Sequence, residues 1–172
     1  TLAAVSGANP GEVTLSWASA GDEESSGALT GNYRIQYATY TAAWNTSTTP
    51  TNATTVTIST TNVTPGSAQT KVVSGLTEGT TYYFGLFTQD AQSNWSGVSN
   101  TTSSVALVDT IVPSSSTLSA STGLGAGAIN LSWASAGDDG SVNNLTGYYR
   151  IQYATYTATW STSSTPTSAY TS

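Results

Sequence analysis

The ten residues YRIQYATYTA occur twice in this chain, at Tyr33–Ala42 and again at Tyr149–Ala158, an offset of 116 positions. The register holds without a gap from Thr1 against Thr117 to Val56 against Ser172, and 35 of those 56 pairs are identical. Identity on that scale marks a duplicated structural unit, so the second copy must be able to begin the same fold as the first. The first unit spans residues 1–108, the Pro- and Ser-bearing stretch 109–116 reads as a short linker, and residues 117–172 repeat only the front half of the first unit. The chain is therefore a tandem array.

Within a unit, apolar residues recur at every second position. Val13, Leu15 and Trp17 alternate with Thr14 and Ser16, Tyr33, Ile35 and Tyr37 with Arg34 and Gln36, and Tyr82, Phe84 and Leu86 with Tyr83 and Gly85. A period of two is the signature of strands with one buried face. Further β-rich runs lie at 54–59, 70–73 and 102–108, separated by the turn formers SSGALTGN, TNVTPGS and SGLTEGT. No stretch of length has a helical period. The spacing predicts an all-β fold, an antiparallel sandwich with a core built from Trp17, Tyr33, Ile35, Tyr37 and Tyr82, repeated in the second unit by Trp133, Tyr149, Ile151 and Tyr153.

Three motifs in order carry a family resemblance. Trp17, the YRIQY run of Tyr33 to Tyr37, and the LTEGTTY run of Leu76 to Tyr82 resemble the core Trp, the third strand and the corner leading into the sixth strand of a fibronectin type III domain, an immunoglobulin-like sandwich. Glu78 stands where that family usually has Pro. The resemblance implies that Tyr82 bonds back to the backbone as a tyrosine corner. The QDAQSNWSGVSN stretch, Gln89 to Asn100, resembles the loop between the last two strands of bacterial members.

Composition narrows the function classes. Charged residues make up 7% of the chain, and the net charge is −6 with only Arg34, Lys71 and Arg150 as cations. Phosphate recognition needs clustered Lys and Arg, so no nucleic acid is expected as a partner. No run approaches the roughly 18 apolar residues of a spanning helix, so no membrane insertion is expected. Cys and His are both absent, which removes disulfides, thiolate metal sites and the commonest general base. No cofactor is expected, and the Ser residues lack a His or Lys partner to activate them.

Several residues remain as candidate sites. Asp22, Glu23 and Glu24, echoed by Asp138 and Asp139, form an acidic loop after the Trp strand. They are calcium candidates, with a capped turn as the alternative, since calcium takes six to eight oxygen ligands and the loop lacks an EF-hand alternation. As a paired-carboxylate dyad they fail, because the second copy has Gly140 where the first has Glu24. Glycosylation candidates are the sequons at Asn45, Asn52, Asn62, Asn94, Asn100 and Asn144; Asn130 opens a further sequon on a strand. Tyr40, Trp44, Trp95, Tyr156 and Trp160 lie outside the core rows. They either cover their own sandwich or form a platform for a neighbouring subunit or a sugar ring.

The second unit supplies no counterpart of Leu76, Tyr82, Phe84 or Leu86. A half sandwich leaves apolar residues facing water and a strand edge open. Two completions are expected alternatives: continuation of the chain past Ser172, or strands donated by a neighbouring molecule. Either one points to an extended assembly. The resulting expectation is a non-catalytic structural segment of an extracellular filament or cell-surface appendage that self-associates or continues into further repeats. The alternative is a polysaccharide-binding or spacer module of a secreted enzyme or adhesin.

Overall fold

The computed structural model describes residues 1–23, 26–139, 143–166 and 169–171. They divide into two compact units, Thr1–Asp109 and Thr110–Ser172. The first unit has seven strands: β1 (Ala3–Ser6), β2 (Val13–Ala18), β3 (Leu29–Ala38), β4 (Thr54–Val63), β5 (Ala68–Val73), β6 (Thr81–Gln89) and β7 (Thr102–Val105). They form a three-stranded sheet, β1-β2-β5, and a four-stranded sheet, β4-β3-β6-β7. All pairings are antiparallel. That strand order is the layout of a fibronectin type III-like, immunoglobulin-like sandwich.

Alternation decides which face of each strand is inside. On β2, Val13, Leu15 and Trp17 are buried while Ser16 points outward. On β3, Leu29, Tyr33 and Ile35 are buried, and on β6 Phe84 and Leu86 close the core from the same sheet. The Trp17 and Tyr33 rings meet edge to face, with centroids 5.2 Å apart. Burying a side chain of this size contributes about 2 kcal/mol. Tyr37 is partly buried against this core, its ring 6.1 Å from Tyr82 and 5.7 Å from Phe84. The Tyr82 hydroxyl accepts the Thr77 N–H at 3.1 Å, and the Glu78 carboxylate accepts the Asp109 N–H at 2.9 Å.

Besides β3 beginning at Leu29 and β4 running on to Val63, both inside stretches expected to turn, two features depart from the strand runs expected from sequence. β7 ends at Val105. The Ala106 N–H still bonds the Thr80 carbonyl just before β6, whereas the Leu107 N–H turns to the Glu12 carbonyl. The second feature is β1, which shows no alternation of its own. It forms because Leu2 is buried and the following residues pair with β2 from Ala3↔Ser16 to Ser6↔Val13. The β3–β4 register also shifts between Leu29 and Gly31. A Cβ at Gly31 would lie 2.0 Å from the Gln89 carbonyl oxygen, so only glycine fits there.

The second unit has β8 (Leu118–Thr122), β9 (Ile129–Trp133), β10 (Gln152–Tyr153) and β11 (Tyr170–Thr171). Its pairing repeats the first unit's register: Ala120↔Leu131 stands for Ala4↔Leu15, and Gln152↔Thr171 for Gln36↔Thr55. Burial is not repeated. Trp133, Tyr149 and Tyr153 are 39%, 42% and 55% exposed, and Ile151 is half-buried, so these residues do not form the core expected of them. The reason is that β5 to β7, which cover their counterparts in the first unit, have no equivalent in residues 117–172.

Candidate functional site

The loops at one end of the first sandwich bring together residues about 70 positions apart in sequence. Between β2 and β3, Glu23 and Ser26 exchange backbone hydrogen bonds, and the Asp22 N–H bonds the Gly27 carbonyl at 3.2 Å. Asp22 lies beside the loop after β6. The two loops enclose an open cleft of about 250 Å³ lined by Asp22, Leu29, Asp90, Asn94, Trp95 and Ser96 among others. Asp22 Oδ1 is buried and has no hydrogen-bond partner among the described residues.

Asp90 is committed to its own turn. Its Oδ1 accepts the Gln92 and Asn94 N–H groups at 2.9 and 2.8 Å, and its Oδ2 accepts the Asn94 amide at 2.8 Å. The Asn94 side-chain hydrogen bond, followed by its backbone N–H, holds the Asp90 carboxyl below its ordinary value of 3.8. The cleft therefore presents an ionised, already bonded carboxylate beside amide, hydroxyl and indole groups, a lining suited to hydrogen-bonding a polar ligand.

The described acidic candidates do not converge. Among the described residues no group of three or more Asp or Glu side chains is placed to hold a metal ion. Asp138 Oδ1 accepts the Thr146 N–H at 3.4 Å and Asp139 Oδ2 accepts the Asn143 amide, so both serve turns. Glu24 and Gly140 lie outside the described residues.

The aromatic candidates separate by location. Trp44 is 8% exposed and belongs to a second apolar cluster with Ala38 and Phe87, flanked by Ala42, Ala53, Tyr83 and Trp95. The 39–53 loop folds down over the outer face of the four-stranded sheet and seats Trp44 on Gly85. A Cβ at Gly85 would come within 2.9 Å of the indole ring. Trp44 is thus interior to its own unit, and its ring does not form an exposed platform. Trp95 is half-buried under Arg34, whose guanidinium carbon lies 4.1 Å from the ring centroid. Tyr40 is exposed, with its hydroxyl donating to the Thr51 carbonyl. In the second unit Tyr156 and Trp160 are 45% and 49% exposed.

Arg34 was not among the residues expected at a site, yet it pins this loop. It stacks on Trp95 and donates from Nη1 to the Thr46 carbonyl at 2.6 Å. Arg150 repeats the contact to Thr162 at 2.8 Å. The signal was present in sequence: two of only three cations sit at equivalent repeat positions, each twelve residues before a Thr.

The sequon asparagines also differ in environment. Asn45, Asn52, Asn62 and Asn144 are exposed, with Asn52 and Asn62 in the left-handed region at φ 61° and 54°. The Asn94 amide is engaged by Asp90. Asn100 bridges both backbone groups of Leu2: Oδ1 accepts its N–H at 2.7 Å and Nδ2 donates to its carbonyl at 2.8 Å. That use competes with glycan attachment.

No protein-family model matches the chain, and no curated protein matches it. Among solved structures it is similar to the crystal structure of the chicken CNTN1 FN1-FN3 domains, at 15% identity and a TM-score of 0.43. The match covers 100% of this chain, which spans about half, 49%, of that one. Among the described residues no helix is long and apolar enough to cross a membrane.

Proposed function

We propose that the chain is a non-catalytic structural segment of an extracellular filament or cell-surface appendage, built from tandem fibronectin type III-like units. One observation carries this reading: the two units repeat their internal contacts as well as their sequence. The Trp17–Tyr33 edge contact at 5.2 Å recurs as Trp133–Tyr149 at 5.5 Å, and the Tyr33–Ser19 hydroxyl bond at 2.6 Å recurs as Tyr149–Ser135 at 2.7 Å. Repetition of a unit with few charges on its surface suits a role in spacing and assembly, where each module needs only to fold and to meet its neighbour. Electron microscopy of the purified chain and of its native assembly tests this. Ordered fibres with regular subunit contacts support the proposal; isolated particles at all concentrations overturn it.

A second reading, a polysaccharide-binding or spacer module, is favoured by the cleft that holds Asp22, Asn94 and Trp95. Affinity electrophoresis in polysaccharide gels discriminates between the readings. Retardation that disappears on Trp95→Ala but persists on Tyr40→Ala supports binding at the cleft, whereas unretarded migration in every gel removes it.

A further inference from the structure

A sheet edge is a row of unpaired backbone groups, and natural edges are blunted by shortness, Lys, Pro or bulges. In the first unit β1 and β7 are edges of four residues each, and β5 carries Lys71 at its centre. The remaining edge, β4, is ten residues long. Its C-terminal end is irregular, with the register shift opposite Gly31 and Asn62 at positive φ. Its first seven residues, TTVTIST from Thr54 to Thr60, pair with β3 in unbroken register and contain no charge, Pro or Gly. A segment of that length, rich in β-branched residues and uncharged, has the composition that adds readily to another strand.

The segment is also complementary to itself. Turned antiparallel about Thr57, it sets Thr57 against Thr57, Val56 against Ile58, Thr55 against Ser59 and Thr54 against Thr60. The exposed hydroxyl residues Thr55 and Ser59 oppose each other, as do the two partly buried apolar residues Val56 and Ile58, which continue the core-facing row of the sheet. The chain carries a net charge of −6, so two copies carry like net charge; β4 offers them a contact strip free of carboxylates.

We propose that the β4 edge is an isologous docking surface for a second copy of this chain, joining two four-stranded sheets side by side through antiparallel β4–β4 pairing centred on Thr57. The inference rests on the reading of the chain as a self-associating structural segment and gives that reading its lateral contact.

The test is a charge swap in the full chain. Thr57 is exposed and lies opposite Arg34 across the β3–β4 ladder, so Thr57→Glu has a favourable neighbour in its own unit and still faces its own copy across the two-fold axis. Thr57→Lys is the second variant. Sedimentation velocity over a concentration series is run on the parent, on each variant and on an equimolar mixture, with near-ultraviolet circular dichroism as the check on folding. The expected result is a parent that associates and variants that each lose association with unchanged spectra. In the mixture association returns, because the carboxylate introduced in one copy meets the ammonium introduced in the other. If both variants associate as the parent does, the β4 edge is not the contact, while the self-association reading stands. If both dissociate and the mixture fails to recover, pairing centred on Thr57 is wrong. A parent that stays monomeric throughout overturns the self-association reading and this inference together.

Discussion

The Tyr33 hydroxyl donates to Ser19 Oγ at 2.6 Å inside the first sandwich, where Tyr33 is 1% exposed; the equivalent Tyr149–Ser135 pair, at 2.7 Å, involves a tyrosine that is 42% exposed. The same bond thus exists once dry and once wet. Ser19 Oγ still donates to the Ala20 carbonyl when the Tyr33 hydroxyl is removed, so the loss is the net worth of one buried hydrogen bond, about 1 kcal/mol. Tyr33→Phe should therefore lower the unfolding free energy of the first unit by about 1 kcal/mol, and Tyr149→Phe should change stability by less than about 0.5 kcal/mol. Urea unfolding of the two variants checks this; equal effects would mean that burial does not set the value of the bond.

Gly85 leaves no room for a methyl group beneath Trp44. Gly85→Ala should push the indole off the sheet, destabilise the first unit by about 1–3 kcal/mol through overpacking, and move tryptophan emission toward the red as Trp44 meets water. Thermal melts and emission spectra give both readouts. An unshifted spectrum together with an unchanged melt would show that the 39–53 loop is not held down by this contact.

The depressed titration of Asp90, caused first by the Asn94 side-chain hydrogen bond, gives a pH signature. A carboxyl whose folded value lies below its unfolded value contributes stability that is fully present above the unfolded value and is lost as pH falls through the folded one. Nuclear magnetic resonance titration of the Asp90 carboxyl should give a midpoint below 3.8, and Asn94→Ala should raise it toward that value. A midpoint at or above 3.8 in the parent would contradict the hydrogen-bonded turn.

Asn100 holds the start of β1 by two hydrogen bonds to Leu2. Asn100→Ala should accelerate hydrogen exchange at the Leu2 amide and cost about 1–2 kcal/mol. In a glycosylating host, glycopeptide mapping should find lower occupancy at Asn100 than at exposed Asn45. Higher occupancy at Asn100 would mean that the Leu2 contact yields easily.

Local pattern explains why much of the first unit was legible from sequence. Period-two alternation at Val13–Trp17, Tyr33–Tyr37 and Tyr82–Leu86 fixes both the strand and its buried face, because neighbouring side chains on an extended backbone point to opposite sides. β1 was not legible, since AAVS carries no alternation and is a strand only because β2 offers it an edge. The burial of Trp44 depends on Gly85, 41 residues away, and the cleft at the sandwich end depends on two loops about 70 residues apart. No local window contains either relationship.

The second unit draws the same line within one molecule. Its sequence alone determined the β8–β9 register, the Trp133–Tyr149 edge contact and the Arg150–Thr162 bond, all of which repeat the first unit, because these contacts involve only residues present in both copies. Whether those aromatics are core or surface was decided by tertiary structure. Trp17 is 6% exposed and Trp133 39% exposed in nearly identical local sequence, since burial is a property of what packs against a strand, and β5 to β7 of the first unit cover Trp17 there.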